Sequence, residues 1–361
     1  MIKIKLYDCH IHRNECTFRP YAFAHNVIRD IGIEFITEGD SYDYAWIGQG
    51  SILDKKLPLQ QAIDKGVDYI SKISGDYMIV DGQDSTSLIG TYDVFKESKA
   101  SLLLKSSLLK DRSLYKSNTV SGRAYWPNGN YTVDDFDKYS DKIVLSGTNW
   151  LSTYWALMPG WGGTNHLKTN LNSQWAKPVW PEITIDKSYD VCAMFQYPSE
   201  KENYEYQIRL DQHYDKFRKP CIDIAHNLDC NVAKLHNGVK VPKHEYDRRI
   251  ADSKIILAPF GYGEMAPRDT ESAVCGAILI KPDMDYIETN PNIFKKNETY
   301  IACKHDFSDL QEKIDEILGN YQNYLYIVEN MRETIEEELS PENLAMNLHN
   351  LFTRHVNGVS I

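Results

Sequence analysis

The stretch SKIILAPFGYGEMAPRDTESAVCGAILIKPD, Ser253 to Asp283, decides how this chain is read. Lys254 to Pro259 is apolar and rich in β-formers, as expected of a strand covered on both faces. Gly261 and Gly263 then flank Tyr262 in a loop. Pro267 suits the first turn of a helix, Asp269 or Thr270 its cap, and Gly276 its end. Ala277 to Lys281 resumes strand character. The helix start therefore carries Glu264, Arg268, Asp269 and Glu271 at the carboxyl end of a parallel strand. Open α/β sheets bind ligands at that edge, and the unpaired N–H groups of a helix start suit a phosphate.

Residues 261–280, GYGEMAPRDTESAVCGAILI, resemble the donor-site segment of exostosin-like glycosyltransferases, in which a GY-containing loop leads into a PR…E helix and then a glycine. More broadly the segment is similar to the second domain of GT-B-fold glycosyltransferases. The convincing match covers a small part of the chain. It implies an α/β, GT-B-like fold of two Rossmann-like domains facing a central cleft. It also implies a donor site formed by Gly261, Tyr262, Gly263, Arg268, Asp269 and Glu271. In that site Glu271 holds the ribose of a nucleotide-sugar and Arg268 lies near its diphosphate. Lys281, just after the second strand, is a further phosphate candidate, with an exposed strand-end lysine as the plainer reading. One departure matters. The spaced glutamate pair of many retaining members needs an acid eight residues before Glu271, where this chain has Gly263 followed by Glu264. Glu264 stays a catalytic candidate, and the stereochemical outcome stays open.

Composition agrees with a two-domain enzyme. A chain of 361 residues exceeds what one core usually serves, and 42% hydrophobic content can build two. The expected units are 1–182, on the acceptor side with a Trp/Tyr-rich insertion, 183–340, binding the nucleotide-sugar, and 341–361. The last is a terminal helix that the resemblance returns to the first domain. A net charge of −11 argues against a broad nucleic-acid surface. No apolar run approaches a membrane span, and the start MIKIKLYDCHIH lacks a signal-peptide layout, so a cytoplasmic protein is expected. Seven scattered cysteines without a C-x-x-C pair point to reduced, packed thiols.

Along the first half, strands are expected at Ile2–Tyr7, Glu34–Thr37, Tyr44–Ile47 and Tyr77–Val80. Helices are expected at Pro20–Ile31 and Leu59–Ile73, with helical stretches through Phe95 and from Leu102 to Tyr115. Tryptophans cluster between Trp126 and Trp180, among turn residues that mark an irregular segment and a junction. In the second half, Tyr189–Phe195, Cys221–Ala225, Asn231–Leu235 and Thr299–Cys303 read as strands. Glu202–Phe217, Glu245–Asp252, Asp306–Leu318, Tyr321–Glu338 and Glu342–Phe352 read as helices. Arg218 and Lys219 then follow a helix and complement its dipole.

Glycosyl transfer needs an activated acceptor hydroxyl and a neutralised diphosphate leaving group. Asp81 and Asp84 follow a buried strand at the end where crevices form. Asp84 is the expected base and Asp81 its alternate, although both also suit turn capping. His10 and His12 are acceptor-side candidates. They also support a rival reading, because DCHIH resembles the opening metal motif of amidohydrolase-type barrels, with His226 and His236 near later strand ends. Eight evenly spaced strand–helix units are not evident. A non-catalytic sugar-binding module is the third reading. The leading expectation is a transferase that uses a UDP- or GDP-type sugar on a glycan or other hydroxyl acceptor, with no tightly bound cofactor and no metal.

Overall fold

The structure, a computed structural model, describes residues 1–9, 11–54, 56–117, 119–120, 123–127, 132–146, 177–195, 210–235, 241–261 and 263–356. The first half contains β1 (Ile2–Tyr7), β2 (Ile33–Ile36), β3 (Tyr44–Gly48), β4 (Asp76–Asp81) and β5 (Leu103–Lys105). The short β6 (Ser107–Leu109), the paired β7 (Thr119–Val120) and β8 (Arg123–Pro127), and β9 (Ile143–Leu145) follow. Six of these form a sheet in the order β2-β1-β3-β4-β5-β9, parallel throughout. The second half contains β10 (Tyr189–Ala193), β11 (Val232–Lys234), β12 (Ser253–Leu257), β13 (Ile278–Pro282), β14 (Ile287–Thr289) and β15 (Ile301–Cys303). Five of these form a second parallel sheet, β11-β10-β12-β13-β15. Both sheets thus place their second strand outside the first and the later strands on the other side. That order creates a switch point in each, between β1 and β3 and between β10 and β12.

Parallel sheets need apolar cover on both faces, and the strands supply it by alternation. In β4, Met78 and Val80 enter one core while Tyr77 and Ile79 enter another. In β12, Ile255 and Leu257 face a third core, and Ile256 joins the one that holds Ile79. One contiguous core therefore lines the inner faces of both sheets. Helices α1 (His12–Phe23) and α2 (His25–Asp30) cover the outer face of the first sheet, and α3 (Gln49–Ile52), α4 (Leu59–Ser71) and α5 (Thr91–Lys96) pack beside β3 and β4. The one-turn α6 (Phe136–Tyr139) precedes β9. The second half adds α7 (Leu210–His226), α8 (Lys243–Ala251), α9 (Pro267–Cys275), α10 (Leu310–Gly319) and α11 (Tyr326–Glu338). In α10, Leu310, Ile314 and Ile317 recur at helical spacing and are all buried. The last helix, α12 (Pro341–His355), sends Leu344, Leu348, Leu351 and Phe352 into the core that holds Ile4, Leu6 and Trp46 of the first sheet.

The carboxyl ends of the central strands face one another across the halves. β6, just beyond β5, pairs antiparallel with β14, just beyond β13, with Leu109 opposite Ile287. The loop after β4 meets the loop after β12, where Met265 N–H donates to the Asp84 carbonyl at 3.0 Å. This is an α/β architecture of two parallel sheets with opposed carboxyl edges, as a GT-B-like layout requires.

Two local expectations are corrected. Cys221–Ala225 is not a strand; it lies within α7, whose Pro220 is tolerated inside the helix. Cys221 and Ala225 stand one turn apart and both face the core, a spacing that also fits alternation over so short a run. The stretch 102–111 is not helical but holds β5 and β6, and a short 3-10 helix follows at Arg112–Lys116. Leu102, Leu103 and Leu104 divide between opposite cores, which only an extended chain between two layers achieves. The first helix also begins earlier than expected, at His12, and Pro20 lies inside it.

Cys9, Cys192, Cys221 and Cys303 are buried free thiols, and Cys230 and Cys275 are half-buried ones. Among the described residues no helix is long and apolar enough to cross a membrane. The Trp/Tyr-rich positions 147–176 and the expected helix start at 202–209 lie outside the described residues.

Lys187, at the entry to β10, is buried and donates to the carbonyls of Ser253, Cys275 and Gly276 at 3.1, 2.7 and 3.1 Å. It thereby satisfies the carboxyl end of α9, which Gly276 closes in the left-handed region at φ 62°. Burial lowers its pKa from 10.5 to about 8. The unfolded chain then binds more protons between those values, so this group's contribution to stability rises with pH from about 8 to about 10.5. Denaturant titrations across that window should show the wild type gaining on the order of 2 kcal/mol relative to Lys187→Met. A difference that does not change with pH would contradict this assignment.

Candidate active site

The switch point of the second sheet lies between β10 and β12. Cys192 of β10 pairs with Ile256 of β12, so Met194 and Phe195 leave the sheet beside Ala258 and Pro259. Helix α9 starts just beyond. Pro267 occupies its first turn, and the Asp269 carboxylate accepts from the Ala266 N–H at 2.8 Å. Lys281, on β13, donates to both oxygens of Asp269 at 3.0 and 3.1 Å and to the Glu264 carbonyl at 2.5 Å. Both Asp269 and Lys281 are at most 1% exposed. This buried pair holds the helix start in place and leaves Arg268 on its accessible side.

Arg268 reaches back over the carboxyl end of β10. One Nη donates to the Met194 carbonyl at 2.8 Å, and the guanidinium lies 5.5 Å from the Phe195 ring centroid. Its Nε is buried with no hydrogen-bond partner among the described residues. A second guanidinium arrives from α7. Arg218 Nε donates to the Phe260 carbonyl at 3.4 Å, and a Cβ built on Gly261 would stand 2.5 Å from an Arg218 Nη. Glycine at 261 is what lets that side chain cross the loop. Both arginines act electrostatically on the buried thiol of Cys221, which burial pushes well above its usual pKa. Both guanidinium groups thus lie just beyond the carboxyl ends of β10 and β12, near the start of α9, an arrangement suited to a doubly charged anion.

Glu271 lies one turn beyond Arg268. It is half-buried and accepts from the Tyr246 hydroxyl of α8 at 2.8 Å. Burial raises the pKa of Tyr246, so the phenol stays a donor to this carboxylate. Tyr262 lies outside the described residues.

Several expected site residues have other work. Asp269 and Lys281 are consumed by their mutual ion pair, so neither is presented to a donor, and Lys281 is not an exposed strand-end lysine. Glu264 is 1% exposed; its carboxylate accepts from Thr86 N–H at 3.0 Å and Thr86 Oγ1 at 2.5 Å, so it is not a group open to substrate. Asp81 is fully buried, accepts from Lys105 at 3.0 Å and holds the Gln83 N–H at 2.9 Å, which removes it as a proton acceptor. Asp84 is half-buried and stands against the donor loop. A Cβ on Gly263 would fall 2.0 Å from its carbonyl oxygen and 2.6 Å from Oδ1. Gly263 is therefore needed for close approach of the two loops.

Arg218 and Thr86 are the residues that sequence reasoning missed. The helix expected to end at Phe217 runs on to His226, so Arg218 lies within α7, with its head folded over the loop. Arg268 gave a comparable signal only because it stood beside a glycine loop.

At the other switch point, Asp8 follows β1 with φ 51°, an uncommon backbone for a residue with a side chain. Its carboxylate accepts from the Tyr69 hydroxyl, and buried Asn14 links its carbonyl, at 3.4 Å, to Ser51 Oγ at 2.7 Å. His10 lies outside the described residues; His12 opens α1, with its side chain outside them, and His236 is outside as well. His226 is the last residue of α7. Among the described residues no three His, Cys, Asp or Glu side chains gather into a metal-binding group.

No protein-family model matches this chain, and no curated protein matches it. Among solved structures, Anabaena HepE in complex with UDP is similar at 12% identity and a TM-score of 0.43, covering 98% of this chain and 100% of that one. A putative UDP-N-acetylglucosamine 2-epimerase from Listeria monocytogenes is similar at 9% identity and a TM-score of 0.45, covering 99% and 97%. A glycosyltransferase from Rickettsia africae is similar at 12% and 0.40, covering 99% of both chains. Likenesses this loose carry no inference about activity, and the α/β layout rests on the sheets themselves.

Proposed function

We propose that this chain is a glycosyltransferase of exostosin-like type that moves a sugar from a UDP- or GDP-type donor to a glycan or other hydroxyl acceptor. The observation that carries the reading is the placement of both Arg218 and Arg268 at the β10–β12 switch point, near the start of α9. In this reading the two guanidinium groups and the helix N-terminus neutralise the charge that grows on the departing diphosphate. Glu271, one turn further along the helix, takes the ribose hydroxyls in place of its Tyr246 contact. Asp84, brought to the donor loop by the meeting of the halves, accepts the proton of the acceptor hydroxyl. Nothing in this scheme calls on a tightly bound cofactor, since the protein's own cations serve the leaving group.

The roles of Glu271 and Arg268 are separable by titration calorimetry. Glu271→Ala should weaken a nucleoside diphosphate about tenfold while leaving the thermal midpoint nearly unchanged, as expected for losing a charged hydrogen bond to ligand. Unaltered affinity would remove the ribose assignment. Arg268→Lys should cost the diphosphate at least about tenfold and the bare nucleoside almost nothing, because an ammonium cannot reproduce a paired guanidinium contact. Equal losses for both ligands would make Arg268 structural.

A further inference from the structure

The loop after β4, residues 82–90, contains the run Ser85, Thr86 and Ser87, all fully buried. Buried hydroxyls in series need partners, and these find them in both halves of the molecule. Thr86 gives its N–H and its hydroxyl to the two oxygens of Glu264. The Thr86 carbonyl accepts from the Tyr115 hydroxyl at 3.0 Å. The Ser87 carbonyl accepts from Lys105 at 2.8 Å, and Lys105 pairs with Asp81 at 3.0 Å. On the other side, the Glu264 carbonyl accepts from Lys281, which holds Asp269 at the start of α9. An unbroken buried polar chain therefore runs from Asp81 in the first sheet to the helix that carries Arg268 in the second.

We infer that Thr86 and Glu264 form a positioning latch: the first half's loop shapes the donor loop at residues 263–266 and sets where Arg268 stands. The Glu264 carboxylate is shut off from water and held by two Thr86 donors, a geometry available only when the halves are docked. Lys281 at the Glu264 carbonyl and the buried Met265 side chain hold the loop from the second half, and the Thr86 donors hold it from the first. One main-chain contact follows the same path, Met265 N–H to the Asp84 carbonyl, and a bond from Gly261 N–H to the Gly263 carbonyl at 3.1 Å tightens the loop itself. Buried networks of this kind specify one arrangement more than they add stability. The consequence for ligand binding rests on the function proposed above; the latch itself does not.

The test uses the full chain and two substitutions. Thr86→Val keeps the shape and the N–H bond but removes the hydroxyl donor, and Thr86→Ser restores it. Amide exchange should rise about tenfold in segment 263–266 of Thr86→Val, as losing a charged hydrogen bond predicts, while β12 and β13 keep wild-type protection. UDP or GDP affinity should fall severalfold in the same variant, and Thr86→Ser should recover both. If Thr86→Val does not fold, Glu264→Gln, which keeps an acceptor oxygen, should show the same local rise in exchange. Unchanged exchange of 263–266 in Thr86→Val, or in Glu264→Gln where that variant is needed, would overturn the latch. Faster exchange with unchanged affinity for a nucleotide that the wild type binds would overturn its positioning role. A wild type that binds neither nucleotide would instead defeat the transferase reading and the positioning role, with the exchange result still deciding the latch.

Discussion

Lys281→Met is expected to destabilise the protein by about 3–5 kcal/mol, the usual cost of breaking a buried ion pair from one side. The ammonium is fully enclosed, bonded to both Asp269 oxygens and the Glu264 carbonyl, and lies 5.3 Å from the ring centroids of Phe260 and Phe294. Methionine fills much of the volume but leaves the Asp269 carboxylate buried without its cation. Burial already raises the pKa of Asp269 against the pull of Lys281, so losing the lysine drives the acid toward its neutral form. Lys281→Met with Asp269→Asn should recover part of the loss, because the amide oxygen can still cap Ala266 and no charge remains unpaired. Urea titrations of the single and double variants measure both quantities. A single-variant loss below about 1 kcal/mol would show that the pair contributes little and that α9 is held otherwise.

Asp84→Asn is expected to lower turnover on the order of a hundredfold or more while leaving the shape and donor affinity near wild type. The residue follows β4, whose carboxyl end faces the second sheet, and its carbonyl and Oδ1 both lie against Gly263 of the donor loop. A carboxylate there can take a proton from an acceptor presented between the halves; the amide cannot. Asp81→Asn serves as the contrast, since Asp81 is enclosed with Lys105 and should act on stability instead of turnover. Rates at saturating donor separate the two. Near-normal turnover in Asp84→Asn would place the base elsewhere or show that none is needed, as in a retaining mechanism.

The fold was legible where strands are long and alternate between two cores. Ile2–Tyr7 and the βαβ unit around α9 could be read directly, because the apolar runs, Pro267 and Gly276 all agree on one structure. Short runs were not legible. Cys221–Ala225 satisfies both a strand period and one turn of helix, and only the tertiary core chose the helix. The site was half legible for a related reason. A motif shows that Arg268, Asp269 and Lys281 cluster in sequence, but burial decides which of them is left for a ligand. Two of the three were spent on each other. Glu264 and Thr86 are 178 residues apart, and no local pattern links them. Arg218 was hidden for the same reason, since its contact with the donor loop depends on how α7 crosses the sheet.

The central claim is that Arg218 and Arg268 together receive a nucleoside diphosphate. Calorimetric titration of UDP, GDP, uridine and guanosine into wild type, Arg218→Ala and Arg268→Ala tests it most directly. The wild type should bind at least one diphosphate well above its parent nucleoside, and each substitution should cost that diphosphate about tenfold or more while sparing the nucleoside. A folded wild type that binds neither diphosphate, or variants that bind it as the wild type does, would contradict the account.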